Sequence, residues 1–263
     1  MTVRTRRAVF VVFAAMLVAV LGWGFRGLPA FGSYQGPYGD VLNAVAVPER
    51  HITDVVTAVN FDYRGFDTLG EEFIFFAAVL GVALILRPQP GEDATRRIDY
   101  AAGRAVPPTS DAVRVLGLGL TPPTLLFGMY VVAHGHLTPG GGFQGGVVLA
   151  TAVLLIYLAG EFEDLHGLYS EAALERVEAI GAAGFVGIGL LGLAAGSTFL
   201  DNVLPKGRVG MVFSAGTVPL INVSVGLEVA AGLVLLITNF LHQAIVLRRP
   251  GPAGPPQLVE ARR

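Results

Sequence analysis

Long apolar stretches alternate with short polar, Gly- and Pro-rich segments along the whole chain. A bilayer span needs roughly 20 consecutive apolar residues. Six stretches reach about that length: Ala8 to Phe25, Phe66 to Leu86, Ala112 to His134, Phe143 to Gly160, Ala179 to Leu200 and Val218 to Leu247. Within the third, Thr121-Pro122-Pro123 removes two backbone donors and predicts a kinked or broken helix in mid-membrane. Between the first two, Ile52, Val55, Val56 and Val59 fit one face of a short interfacial helix that Thr53 or Asp54 can cap. The pattern predicts an all-α polytopic membrane protein with about six transmembrane helices.

Pro88, Pro90, Pro107 and Pro108 mark residues 88–111 as a cytoplasmic linker. It divides a two-span module, 1–87, from a four-span module, 112–248. The Pro-rich tail 249–263 reads as disordered. Arg4, Arg6 and Arg7 ahead of the first apolar stretch resemble the start of a signal peptide. No small-residue cleavage site follows, so the stretch reads as a retained span.

Composition agrees with this reading. The 263 residues are 53% apolar and 14% charged, against roughly 25% charged in an average soluble protein. A net charge of −2 excludes the basic face that nucleic-acid binding requires. With 0 Cys, disulfides, thiolate metal sites and Cys nucleophiles are excluded. With the N-terminus cytoplasmic, only Arg26, Arg50, Arg64, Lys206 and Arg208 of the 18 basic residues fall outside. The positive-inside rule thus supports six spans with both termini inside. The connection Glu161 to Glu178 is acidic and runs against it.

Candidate chemistry sits where polar residues meet the spans. Asp67 and Glu71, four apart, share a helix face at the start of the second span, and Glu72 points about a quarter turn away. Paired, partly desolvated carboxylates suit proton transfer or a hard cation. The alternative is an N-cap followed by solvated first-turn acids. Glu228, deep in the sixth span beside Asn222 and Ser224, costs at least ~2.5 kcal/mol if charged there. It must be neutral, paired or facing a hydrated cavity. Thr138 to Gly146 contains Gly140-x-Gly142-x-x-Gly145, but it follows a membrane span and not a strand, so the dinucleotide reading is weak. Gly141/Gly145 and Gly142/Gly146 read better as close-packing pairs, with Pro139 fixing the reversal, and Gly192/Gly196 as a third pair. His134 and His136 do not share a helix face. A metal site there is not expected, though His136 remains a candidate for a proton path. No enzyme motif and no cofactor motif is evident.

The strings HGHLTPGGGFQGG at 134–146, FLDNVLP at 199–205 and FSAGTVPLINVSVGLEVAAG at 213–232 resemble the MnhB family. These are B subunits of Mrp-type multisubunit monovalent cation/proton antiporters and their relatives in membrane-bound hydrogenases. VNFDYRGFDTLGE at 59–71 is similar to the E-like domain at the end of the antiporter A subunit, here fused to the B module. The resemblance implies an accessory, non-enzymatic subunit of a prokaryotic cell-membrane complex. Its implied partners are large A and D type subunits, small C, E, F and G type subunits, and lipid. Glu71 falls on a glutamate tied in the family to antiport, and Asp67 on the motif's Asp. Lys206 is the only lysine, so the lysine–glutamate pairs of the large pumping subunits are absent. Membership of a hydrogenase-like or complex I-like redox arm, or a purely structural role, remain the alternatives.

Overall fold

The computed structural model describes residues 3–28, 30–33, 36–86, 109–159 and 170–241. Most of the 88–111 linker and all of the 249–263 tail lie outside them. The described residues form helices α1 (Val3–Arg26), α2 (Tyr38–Arg50), α3 (Val55–Ala58), α4 (Gly65–Leu86), α5 (Asp111–Ala133), α6 (Gly142–Ala159), α7 (Glu171–Ala194) and α8 (Val218–Leu241), with a π-helical turn at Val59–Tyr63 between α3 and α4. Six of them, α1 and α4 to α8, are long and apolar enough to cross a membrane. Two compact units result, Met1–Val41 and Leu42–Arg263.

The first unit holds α1, apolar from Ala8 onward behind its three arginines. In the second, α8 is the centre. α6, α7, α4 and α5 all pack on it, and α5 packs along α6. Its apolar side chains Val218, Ile221, Val225 and Val229 form one core with Phe185 of α7, Phe61 of the π-turn and Ala46 of α2. The Phe61 and Phe185 rings meet edge-on, centroids 6.1 Å apart. α4 joins this core directly through Leu69 and Phe75, so it shares one interior with α7 and α8.

Three differences from the sequence pattern stand out. First, α5 runs unbroken through Pro122 and Pro123. Thr121 Oγ1 donates to the Gly117 carbonyl at 2.9 Å and Thr124 Oγ1 to the Leu120 carbonyl at 2.8 Å. These bonds lie on either side of the Leu118 and Gly119 carbonyls, the acceptors that Pro122 and Pro123 leave without an i+4 donor. Second, α7 begins at Glu171, well before the expected Ala179, and ends at Ala194. Gly196 therefore lies past the helix at φ +79°, and Gly192 faces Thr198 of its own following loop; they do not form an interhelical pair. Third, α2 is a helix that the span pattern does not single out.

Candidate functional site

The α3–π-turn–α4 segment is positioned from its first residue. Asp54 caps α3, accepting from the Thr57 backbone N–H at 3.3 Å. Thr68 Oγ1 reaches back to the Asn60 carbonyl at 2.7 Å and ties the first turn of α4 to the π-turn. The inward stripe of α4 is Gly65, Thr68, Glu72 and Val79, a helical spacing. Glu72 lies on that stripe, 2% exposed. Asp67 and Glu71 lie on the outer face, exposed, with Arg64 paired to Asp67. The shared face expected for Asp67 and Glu71 points away from this chain's interior, and the neighbouring Glu72 is the acid that enters it.

Glu228 is fully buried on α8, and neither carboxylate oxygen has a hydrogen-bond partner among the described residues. Glu178 of α7 is also buried, with Oε1 unpartnered, as is Glu72 Oε2. Glu228 lies within Coulombic range of both Glu72 and Glu178. Three helices thus turn one acid each toward a common interior. Glycines permit the approach. A Cβ on Gly181 would stand 2.7 Å from Glu228 Cβ, and one on Gly232 would stand 2.9 Å from Glu178 Oε1. Glu178 escaped the sequence reading because it was assigned to the loop before the fifth span. The readable signal was Ser170, whose Oγ accepts from the Ala173 N–H at 3.1 Å and starts the helix there.

The Gly-rich string forms the turn from α5 into α6. Asn222 Oδ1 accepts from the Gly142 N–H at 2.7 Å, while its Nδ2 donates to the Val218 carbonyl at 3.2 Å. Gly142 and Gly146 back onto α8 at Val225 and Val229, Gly145 onto Val132 of α5, and Gly141 (φ +126°) onto Asn222. Pro139 is exposed on the turn. His136 is fully buried beneath it, Nε2 3.4 Å from the Met211 carbonyl and Nδ1 without a partner. Burial holds its imidazole below the ordinary histidine value, opposed in part by that carbonyl. The His136 carbonyl accepts from the Thr53 and Asp54 N–H groups, at 3.1 and 3.3 Å.

These contacts make a polar cap at one end of the helices. His51 Nδ1–H donates to the Gly207 carbonyl at 2.7 Å, and Thr57 Oγ1 to the Gly135 carbonyl at 2.6 Å. Arg50 Nε stands 3.2 Å from Asp62 Oδ1, an ion pair without hydrogen-bond alignment. Its guanidinium also lies over the Tyr63 ring at 5.1 Å. No group of three or more His, Asp or Glu residues among those described has metal-holding geometry. The buried acids are strung out and do not converge on one point.

Fold and site define a polytopic all-helical membrane protein with acids from three helices facing its interior. Residues 112–235 match the model of a domain described as related to the MnhB subunit of Na+/H+ antiporter, and the chain belongs to that family. An uncharacterised protein of Methanocaldococcus jannaschii is 31% identical over 213 residues, covering 73% of this chain and 78% of that one. A probable K(+)/H(+) antiporter A/B subunit of Rhizobium meliloti is 32% identical over 123 residues, 41% of this chain but only 12% of the relative. Among solved structures, a chain of the membrane-bound sulfane sulfur reductase, an archaeal respiratory membrane complex, superposes with TM-score 0.65 at 32% identity. That match covers 90% of this chain and 98% of the other. A chain of the Mrp complex from Dietzia sp. DQ12-45-1b has the same fold, with TM-score 0.67 at 24% identity over 95% of this chain and 27% of that one.

Proposed function

We propose that this chain is an accessory membrane subunit of a multisubunit monovalent cation/proton antiporter of the Mrp type, contributing to ion translocation and to assembly. The observation that carries the reading is Glu228, wholly buried and unpartnered within the MnhB-matching segment. A carboxylate at such depth is costly and is retained where it serves ion or proton handling. The chain acts through partners and has no catalytic centre of its own. The partners are the large A and D type and small C, E, F and G type subunits. Residues 1–87 serve as the E-like module and 112–248 as the B module. Asp67 and Glu71, exposed on α4 among Phe66, Phe73 and Ile74, face a neighbouring subunit, because a charge against lipid is unfavourable. Both termini lie in the cytoplasm of a prokaryotic cell and the polar cap lies outside.

The test is Glu71→Gln and Glu228→Gln in the assembled complex. Gln keeps size and hydrogen bonding but carries neither proton nor charge. Cation/proton exchange that falls while assembly is retained supports the ion-path role; full activity in both variants reduces the chain to a scaffold.

A second reading is favoured by one observation. The match to the sulfane sulfur reductase complex spans 98% of its partner chain, whereas the named antiporter relative is matched over a small part. In that reading the same subunit sits in the membrane arm of a redox complex. Mass spectrometry of the native complex pulled down on this chain decides, since hydrophilic redox subunits co-purify only in the second case.

A further inference from the structure

We propose that Glu72, Glu228 and Glu178 form a proton relay through the interior of this one chain, entered from the outer face of α4 by way of Glu71 and left at the start of α7 by way of Glu175.

The order comes from helix register. Gly181 of α7 sits against Glu228 and the Ser224 carbonyl of α8. One turn further from the cap, Glu178 reaches Gly232, where the Phe75 ring of α4 also lies. Glu72 is one turn nearer the cap than Phe75 on α4. By these contacts Glu178 lies level with Gly232, while Glu72 and Glu228 each lie about one turn nearer the cap on their own helices. Glu228 is the middle member, within range of both others, and each acid comes from a different one of three packed helices. Glu71 lies within Coulombic range of Glu72, and Glu175 of Glu178. Both outer acids are exposed.

The species carried is a proton. The three carboxyls do not converge into an oxygen cage, and an unpaired ion in an apolar interior costs far more than a neutral carboxyl. Each keeps at least one buried oxygen with no hydrogen-bond partner among the described residues, which is what a group that both accepts and donates a proton needs. In each step an O–H bond breaks on one carboxyl and forms on the next carboxylate, and the negative charge moves the opposite way. A bridging water or a rotamer change makes the contact. After one passage every carboxyl is restored, and one proton has moved from the Glu71 end to the Glu175 end or the reverse. The Phe75 ring beside Glu178 and Gly232 keeps this stretch apolar. The relay deepens the antiporter reading and rests on it for its driving force.

The test uses the native complex, purified through a tag on this chain and reconstituted in proteoliposomes with an internal pH dye. Glu178→Gln is expected to lower cation-driven proton flux about 100-fold, as loss of an acid–base group does. Because the acids act in series, Glu178→Gln with Glu228→Gln should be no slower than either alone. Asp40→Asn, at an exposed acid in the first turn of α2, should match the unmutated complex. Infrared difference spectra should lose one protonated-carboxyl C=O band in Glu178→Gln. If Glu178→Gln fails to assemble, Glu178→Asp against Glu178→Asn makes the same comparison, with flux kept only by Asp. An unmutated complex that exchanges no cation for protons overturns the antiporter reading, and the infrared band then decides the relay alone. An active complex in which Glu178→Gln transports normally overturns the relay.

Discussion

Asn202 and Asp62, far apart along the chain, meet in one buried contact: Asn202 Nδ2 donates to Asp62 Oδ2 at 2.7 Å. The same amide donates to the Ala215 carbonyl at 3.0 Å, and Asn202 Oδ1 accepts from the Thr217 N–H at 2.9 Å. The side chain thus ties the π-turn before α4 to the loop that leads into α8, with Arg50 closing the network from α2.

Removing the amide leaves Asp62 buried and short of a donor. Asn202→Ala should destabilise the fold by about 1–3 kcal/mol. Asp201→Ala, one residue away and outside the network, should have little effect. Thermal unfolding of the purified protein in detergent measures both, and equal melting temperatures would remove Asn202 as the link between these segments.

Gly146 lets α6 lie against α8, where a Cβ would come 2.8 Å from Val229 Cβ and 3.0 Å from the Gly226 carbonyl. Both helices are held there by further packing, so Gly146→Ala should cost about 1–3 kcal/mol by overpacking. Gly187 on α7 has nothing within 4 Å of its missing Cβ. Gly187→Ala should be neutral, or stabilising by about 0.5–1 kcal/mol through helix entropy. Paired thermal melts check the contrast.

His136 makes the turn acid-sensitive. Its folded-state value is held below the ordinary 6.5, chiefly by burial, so the unfolded chain takes up the proton first as pH falls. The buried neutral ring therefore contributes fully above about pH 6.5, and its contribution is lost as the pH drops below that. Hydrogen exchange across residues 134–141 should slow less between about pH 7.5 and about pH 5 than intrinsic exchange chemistry predicts, an excess rate that reports lost protection. His136→Phe should abolish that excess; its persistence would assign the acid sensitivity to another group.

Topology can be read in the natural background of 0 Cys. Thr95→Cys in the linker and Arg208→Cys in the cap should label from opposite faces of the membrane. Arg208 is exposed, whereas Gly207 has φ +61° and its missing Cβ would press on the Phe213 carbonyl. Labelling of both from one face would overturn the six-span orientation.

The spans were legible because hydropathy over about 20 residues is a one-dimensional property. The described helices fall within the apolar stretches to a residue or so at most ends. The fifth was misplaced at its start because Glu171, Glu175, Arg176 and Glu178 lower the local hydropathy, even though a Ser170 cap marked the true beginning. Pro122 and Pro123 leave the Leu118 and Gly119 carbonyls without i+4 donors, yet the turns on either side carry α5 through without a break.

Which acid turns inward was a different matter. Sequence alone determined that Asp67, Glu71 and Glu72 begin one apolar helix and that Glu228 lies deep in another, since chain position and hydropathy are enough for that. Only the tertiary structure decided that Glu72 faces α8 while Asp67 and Glu71 face outward, and that Glu178 completes the row. The reason is rotational: a helix face becomes interior or exterior by what packs on it, and here the glycines of α7 and α8 let two backbones close around Glu228.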